Sequence, residues 1–257
     1  MIRNLKKKQG RKNPVYVNFG TRLVTPSEKT NLVGGVFDSV STRYDIMNDI
    51  MSLGIHRIWK RTLVKQIKRT KGQTILDVGG GTGDISLKIL KEMECELILL
   101  DVNFNMLQNG RNNAYDKGWL HQPSWVCGNA EQLPAADMSK DVYVTAFCMR
   151  NVARLEFALR EAYRVLKPGG QFICLEFSPD FFPSIKSFYD FYSFKVLPLL
   201  GEKIAGDRAA YRYLAESIRT FPTADKFKKF LVKTGFGHVR IMSLTGGIAF
   251  IHSAWRL

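Results

Sequence analysis

Leu76-Asp77-Val78-Gly79-Gly80-Gly81-Thr82-Gly83-Asp84 is the stretch on which the fold turns. An apolar run from Thr74 to Val78 stops at three glycines, and a helical pattern begins near Ile85. The segment therefore reads as a strand, a tight turn and a helix N-terminus. In an open α/β sheet such a turn lies outside the carboxyl ends of the strands, where ligands bind. Glycines there let the backbone approach a ligand closely and put N–H groups at a helix N-terminus. A dinucleotide site asks for G-x-G-x-x-G, and no register supplies it: from Gly79 the third position is Asp84, and from Gly81 it is Ser86. The pattern present is D-x-G-x-G-x-G.

Outward from this turn the same alternation repeats. Strand-like runs occur at Glu96 to Val102, Ser124 to Cys127, Asp141 to Phe147 and Gln171 to Phe177, with helical patterns between them. The clearest helix follows Val152, where Leu155, Ala158, Leu159, Ala162, Val165 and Leu166 share one face, and Lys167-Pro168-Gly169-Gly170 ends it. Apolar strands joined by helices imply a mostly parallel sheet covered on both faces. A helix from Ala224 to Thr234, stopped by Gly235, precedes strand-like Gly237 to Met242 and Gly247 to Trp255, read as an antiparallel hairpin closing the sheet. Between these regions Phe181, Phe182, Phe188, Tyr189, Phe191, Tyr192 and Phe194 crowd together, as a helical cap with its own core or a cover over an apolar pocket.

The 257 residues allow one large domain with additions, at ~150 residues per domain. A composition 45% hydrophobic and 24% charged is that of a globular chain and argues against disorder. No apolar run approaches the ~18 residues that span a bilayer. The division expected is a basic flexible arm over 1–30 and a single domain over 31–257 with an aromatic-rich helical insertion near 179–220. The formal charge is +15. Residues 1–29 hold Arg3, Lys6, Lys7, Lys8, Arg11, Lys12, Arg22 and Lys29 against Glu28 alone. Such an arm suits anionic lipid or phosphate backbones, or serves only solubility. It has neither the apolar core of a secretory signal nor the serine content of a mitochondrial presequence, so a mature intracellular protein is expected. Cys95, Cys127, Cys148 and Cys174 are scattered, with no metal-ligand spacing, and read as buried thiols.

Two further strand ends complete a candidate site. Asp101 ends the second strand of the sheet, about twenty residues past the glycines, where a carboxylate can accept from both hydroxyls of a ribose; the alternative is a helix N-cap for the segment from Phe104. Gly128-Asn129-Ala130-Glu131 follows the third strand and can read an adenine edge. Together with the glycine turn these resemble the S-adenosylmethionine-dependent methyltransferases, whose ligand carries no pyrophosphate. The resemblance implies a Rossmann-like class I methyltransferase fold with a seven-stranded, mostly parallel sheet, S-adenosylmethionine as cofactor, and Gly79, Gly81, Thr82, Asp101, Asn129 and Ala130 as its binding residues.

Longer motifs narrow this. Phe37-Asp38-Ser39-Val40, Arg43-Tyr44-Asp45-Ile46-Met47-Asn48-Asp49, Leu53-Gly54-Ile55-His56-Arg57-Ile58-Trp59-Lys60, Met149-Arg150-Asn151-Val152, Leu175-Glu176-Phe177-Ser178 and Tyr213-Leu214-Ala215-Glu216-Ser217-Ile218 resemble the ubiquinone/menaquinone biosynthesis C-methyltransferase family, from about Phe19 to the C-terminus. The resemblance implies methylation of a ring carbon of a polyprenylated benzoquinol or naphthoquinol. The sulfonium already activates the methyl group, so the protein must position it and make the carbon nucleophilic, which loss of a ring hydroxyl proton does. Arg150 follows the fourth strand and is expected at the reacting centre, where a guanidinium stabilises the phenolate and does not take its proton. The alternative for Arg150 is a salt bridge to Glu156 or Asp141. Tyr44 and Asp101 match family positions near that centre, although Tyr44 also suits simple helix packing. Tyr44, Arg150, Asn151, Tyr189 and Tyr192 are the expected substrate contacts. His56 is expected to fix its turn and not to act as a base. Where the family reads Ser-Phe-Gly-x-Arg-Asn this chain has Ala146-Phe147-Cys148-Met149-Arg150-Asn151, which removes one polar cofactor contact and adds bulk beside the crevice.

The expected partners are a lipid quinol, a membrane surface, and a quinone-biosynthesis complex or a second copy, with no nucleic acid and no metal. The expected location is cytoplasmic and peripheral to the inner membrane, or the matrix side of the mitochondrial inner membrane. Competing readings are methylation of another small molecule or of RNA, and a non-catalytic cofactor-binding subunit.

Overall fold

The structure, a computed structural model, describes residues 15–41, 48–49, 52–119, 123–179, 192, 199 and 207–257. A small hairpin of β1 (Val17–Phe19) and β2 (Arg22–Val24) leads into α1 (Pro26–Val40), and α2 (His56–Lys65) follows. The central alternation is β3 (Thr74–Val78), α3 (Asp84–Glu92), β4 (Glu96–Asp101), α4 (Phe104–Asp116), β5 (Ser124–Cys127), β6 (Lys140–Ala146), α5 (Leu155–Val165) and β7 (Leu166–Phe177). The chain ends with α6 (Arg208–Thr220), α7 (Ala224–Thr234), β8 (Phe236–Leu244) and β9 (Ala249–Arg256).

Seven strands form one sheet in the order β5-β4-β3-β6-β7-β9-β8. The first five are parallel, and β9 and β8 complete the sheet as an antiparallel pair. This is the architecture expected from the sequence. Alternation along the buried strands separates two cores: Ile75, Val142, Val144 and Ile173 face α2, α3 and α6, while Leu76, Tyr143, Phe172 and Cys174 face α5 and α7. Successive strands run outward from β3 in one direction and from β6 in the other. The boundary between β3 and β6 is thus the topological switch point where open α/β sheets bind ligands.

Three expectations require correction. Residues 15–30 do not belong to an arm. Phe19 stacks on Tyr213 with ring centroids 4.3 Å apart, the Thr21 N–H donates to Glu216, and Thr25 caps α1 ahead of Pro26. Apolar contact and capping outweigh the local charge. Residues 1–14 lie outside the described residues, as do most of 179–206. Residues 208–220, assigned to the insertion, form a core helix. Of the four cysteines expected as buried thiols only Cys174 is buried: Cys95 and Cys148 are half-buried and Cys127 is exposed on the edge strand β5, and all four are free thiols.

Candidate active site

A crevice opens at the carboxyl ends of β3, β4, β5 and β6, and its floor is the glycine turn. Gly79 and Gly81 have φ of +70° and +56°. A Cβ on Gly79 would stand 2.3 Å from the Cys148 Sγ, and one on Gly81 would stand 3.1 Å from the Met106 Cε. Only glycine meets both the left-handed backbone and the close approach. The turn is tied back to β4 by Gly79 N–H donating to the Leu100 carbonyl at 2.7 Å.

Asp101 stands at the rim. Its Oδ2 accepts from Gly81 N–H at 2.9 Å and its Oδ1 from Asn103 N–H at 2.8 Å. Burial pushes this carboxyl up, while the N–H groups of Asn103, Gly81 and Val102 hold it down. Each oxygen has a further acceptor site, the arrangement a vicinal diol requires. The cap of α4 is Asn103, whose Oδ1 accepts from Met106 N–H at 2.9 Å, so Asp101 is not spent on capping. Asn129 and Ala130 line the next wall with Gly128. The Asn129 Oδ1 accepts from Glu131 N–H at 2.8 Å and so serves its own turn. Thr82 is not among the lining residues. Its backbone packs against α4, where a Cβ on Gly110 would come within 2.7 Å of the Thr82 carbonyl oxygen.

The opposite wall is the loop after β6. Phe147 has φ +57°, a costly conformation for an aromatic residue. Its carbonyl is held by Arg150 Nη1 at 2.7 Å and Asn151 Nδ2 at 3.2 Å. Cys148 and Asn151 line the crevice. Burial pushes the Cys148 thiol up to about 12, so it fills space as a neutral group. The Asn151 Oδ1 accepts from the Tyr213 hydroxyl at 3.0 Å.

Arg150 differs from expectation. Its side chain is not among those lining the crevice. It is 3% exposed, and Nη1 donates to Glu176 Oε1 at 2.7 Å. Neither Glu156 nor Asp141 is the partner: these bind Lys233 and Lys167. The pair forms because parallel pairing of Ala146 with Leu175 brings Glu176 beside the loop, and packing between Phe147 and Phe177 keeps water out. Burial pushes the Glu176 carboxyl up, and Arg150 opposes the shift.

Tyr44 and Tyr189 lie outside the described residues. Tyr192 is half-buried against the first core and does not line the crevice. His56 is buried away from it, with Nε2 3.4 Å from Asp49 Oδ1, and burial lowers it to about 4, so it is neutral. Among the described residues no cluster suited to a metal ion occurs, and no helix is long and apolar enough to cross a membrane.

The sequence reading missed the roof. Thr30, Val33, Gly34 and Phe37 of α1 cover the crevice. The Asp38 carboxylate accepts from Asn103 and Asn105 and fastens the far end of that helix. The signal was present in Thr25-Pro26-Ser27-Glu28, a cap, a proline at the first helical position and an acid in the first turn. The donor set fits S-adenosylmethionine: a glycine floor that a Cβ would fill, a diol-binding carboxylate and apolar flanks from Val102, Met106 and Ala130.

Residues 21–256 match the model of the ubiE/COQ5 methyltransferase family. The ubiquinone/menaquinone biosynthesis C-methyltransferase UbiE of Methylobacterium nodulans is 48% identical over 244 residues, covering 93% of this chain and 96% of that protein. The protein of the same name from Roseobacter denitrificans is 47% identical over 241 residues, with the same coverage. Solved structures share the fold. A methyltransferase of Thermotoga maritima superposes with a TM-score of 0.62 at 17% identity, over 88% of this chain and all of that one. A phosphoethanolamine N-methyltransferase of Haemonchus contortus bound to S-adenosyl-L-methionine gives 0.58 at 14% identity, over 77% of this chain and 52% of that one.

Proposed function

The chain belongs to the ubiE/COQ5 methyltransferase family, and on that premise we propose that its crevice binds S-adenosylmethionine and that it methylates a ring carbon of a polyprenylated quinol in ubiquinone or menaquinone biosynthesis. The observation that carries this reading is the conjunction at one switch point of a glycine floor, the Asp101 carboxylate and the loop bearing Asn151. Asp101 would accept from the ribose hydroxyls, Ala130, Val102 and Met106 would flank the adenine, and Gly79 would leave room for the methionine portion. When bound, the cofactor supplies a methyl group already activated by a sulfonium. The protein's own contribution is then orientation and exclusion of water. The α1 roof closes the crevice, and the strained Phe147 backbone is held by two side-chain donors.

Arg150 acts through that loop in this reading. A guanidinium keeps its proton at all working pH values, and this one already meets a carboxylate at 2.7 Å. It shapes the wall against which the ring lies. Incubating the protein with methyl-labelled S-adenosylmethionine and short-chain benzoquinol and naphthoquinol acceptors tests the proposal. Incorporation into either supports it, and labelling of neither, with the donor bound, rejects it.

The same reading has the enzyme working at an anionic lipid surface, on the cytoplasmic face of the inner membrane. The chain carries +15, and Val15, Tyr16 and Leu23 are exposed apolar side chains where the basic N-terminal segment joins the fold. Flotation with anionic liposomes at low and high salt, with and without residues 1–12, measures this. Equal binding by the truncated chain removes the segment from the account.

A further inference from the structure

Lys29 lies in the first turn of α1, and its neighbours Thr30, Val33 and Gly34 belong to the roof of the crevice. Although its sequence neighbourhood is strongly basic, it is only 7% exposed. Its Nζ donates to the Arg150 carbonyl at 3.3 Å and lies in the field of Glu131. The Arg150 carbonyl and the Glu131 carboxylate belong to different walls. Glu131 follows Asn129 and Ala130, and its carboxylate accepts from the N–H groups of Ala153 at 2.8 Å and Arg154 at 2.9 Å and from Arg154 Nε at 2.7 Å. Arg150 belongs to the loop that carries Cys148 and Asn151. Burial lowers the ammonium to about 8 and Glu131 opposes the shift. An apolar side chain of equal length would fill this space without that cost, so a charge here does something packing does not.

We propose that Lys29 is a positioning residue for methyl transfer: its ammonium ties the roof helix to the Arg150 carbonyl, and so to the loop that carries Cys148 and Asn151. The wall that meets the acceptor ring is thereby fixed relative to the roof that covers the crevice. This rests on the function proposed above. Displacement of a reacting group by about 1 Å costs roughly 10²-fold in rate, so a tie between roof and loop acts on turnover more than on cofactor affinity.

The test uses the full chain with Lys29→Met, which keeps an unbranched apolar stem, and Lys29→Arg, which keeps the charge. Three quantities are measured: amide hydrogen exchange at Asn151, whose N–H closes the loop onto the Cys148 carbonyl at 2.8 Å, kcat and KM on a short-chain quinol, and calorimetric affinity for S-adenosylmethionine. Lys29→Met is expected to raise exchange about tenfold and lower kcat about 10²-fold, with cofactor affinity within about threefold of the parent. Lys29→Arg is expected to restore kcat to within about tenfold of the parent. Native exchange and native kcat in Lys29→Met overturn the proposal, as do equal losses in both variants. Should Lys29→Met fail to fold, Lys29→Leu takes its place, because it likewise removes the donor to the Arg150 carbonyl; unchanged kcat and exchange in that variant overturn the proposal. Exchange needs no quinol, so the clamp is decided even if the parent methylates neither quinol, an outcome that rejects the proposed substrate instead.

Discussion

Gly79 and Cys148 form a pair whose interaction can be isolated. Alanine at position 79 must adopt φ +70°, which costs about 1–2 kcal/mol for a residue with a Cβ. That Cβ would also stand 2.3 Å from the Cys148 Sγ and 2.5 Å from its Cβ, closer than any real contact. Moving a packed thiol out of the way adds about 1–3 kcal/mol. Gly79→Ala should therefore destabilise by about 2–5 kcal/mol. In a Cys148→Gly background the clash is absent and only the backbone cost of about 1–2 kcal/mol remains. The coupling energy is thus about 1–3 kcal/mol. Urea unfolding of the parent, both single variants and the double variant measures it, with an S-adenosylmethionine titration alongside. An equal cost of Gly79→Ala in both backgrounds would refute the contact, and no cost in either would refute the strain as well.

Three other outcomes follow from the site. Asp101→Ala removes an acceptor proposed for two ligand hydroxyls. At about 1.5 kcal/mol each, cofactor affinity should fall about 10²-fold by calorimetry, and a change within threefold would contradict the role. Arg150→Met strands Glu176 in the core, so chemical unfolding should show a loss of about 3–5 kcal/mol, most of it recovered in Arg150→Met/Glu176→Leu. Burial moves Asp77 from an ordinary 3.8 to about 7, against the Ser86 hydroxyl bond at 2.7 Å. A raised acid binds its proton more tightly when folded, so its contribution is full below about 3.8 and is lost as pH rises through about 7. The stability difference between parent and Asp77→Asn should shift in favour of the variant between pH 4 and 7, and a constant difference would contradict the burial.

The parts of the fold that the sequence made legible are those whose signals are local. The β3 strand and its glycine turn, the α5 stripe and the stop at Gly235 each depend on near neighbours, and all appear in place. The floor of the site was legible for the same reason. The Arg150–Glu176 pair was not, because the two residues meet only through β6–β7 pairing, and strand register is a property of the assembled sheet. Lys29 escaped because a charge tally carries no information on burial. The α1 roof contains Gly34-Gly35, which weakens a helical pattern in isolation; it is held by long-range bonds from Lys29 and Asp38. Asp101 and Asn103 are close enough in sequence that either could have capped α4, and only geometry separates the cap from the diol acceptor.

The measurement that bears most directly on the whole account is carbon-13 NMR of the product formed from methyl-labelled S-adenosylmethionine and a short-chain quinol. A methyl group bonded to a ring carbon, lost in parallel with cofactor binding in Asp101→Ala, is the predicted result. A methoxyl signal, or ring methylation that Asp101→Ala leaves intact, would contradict it.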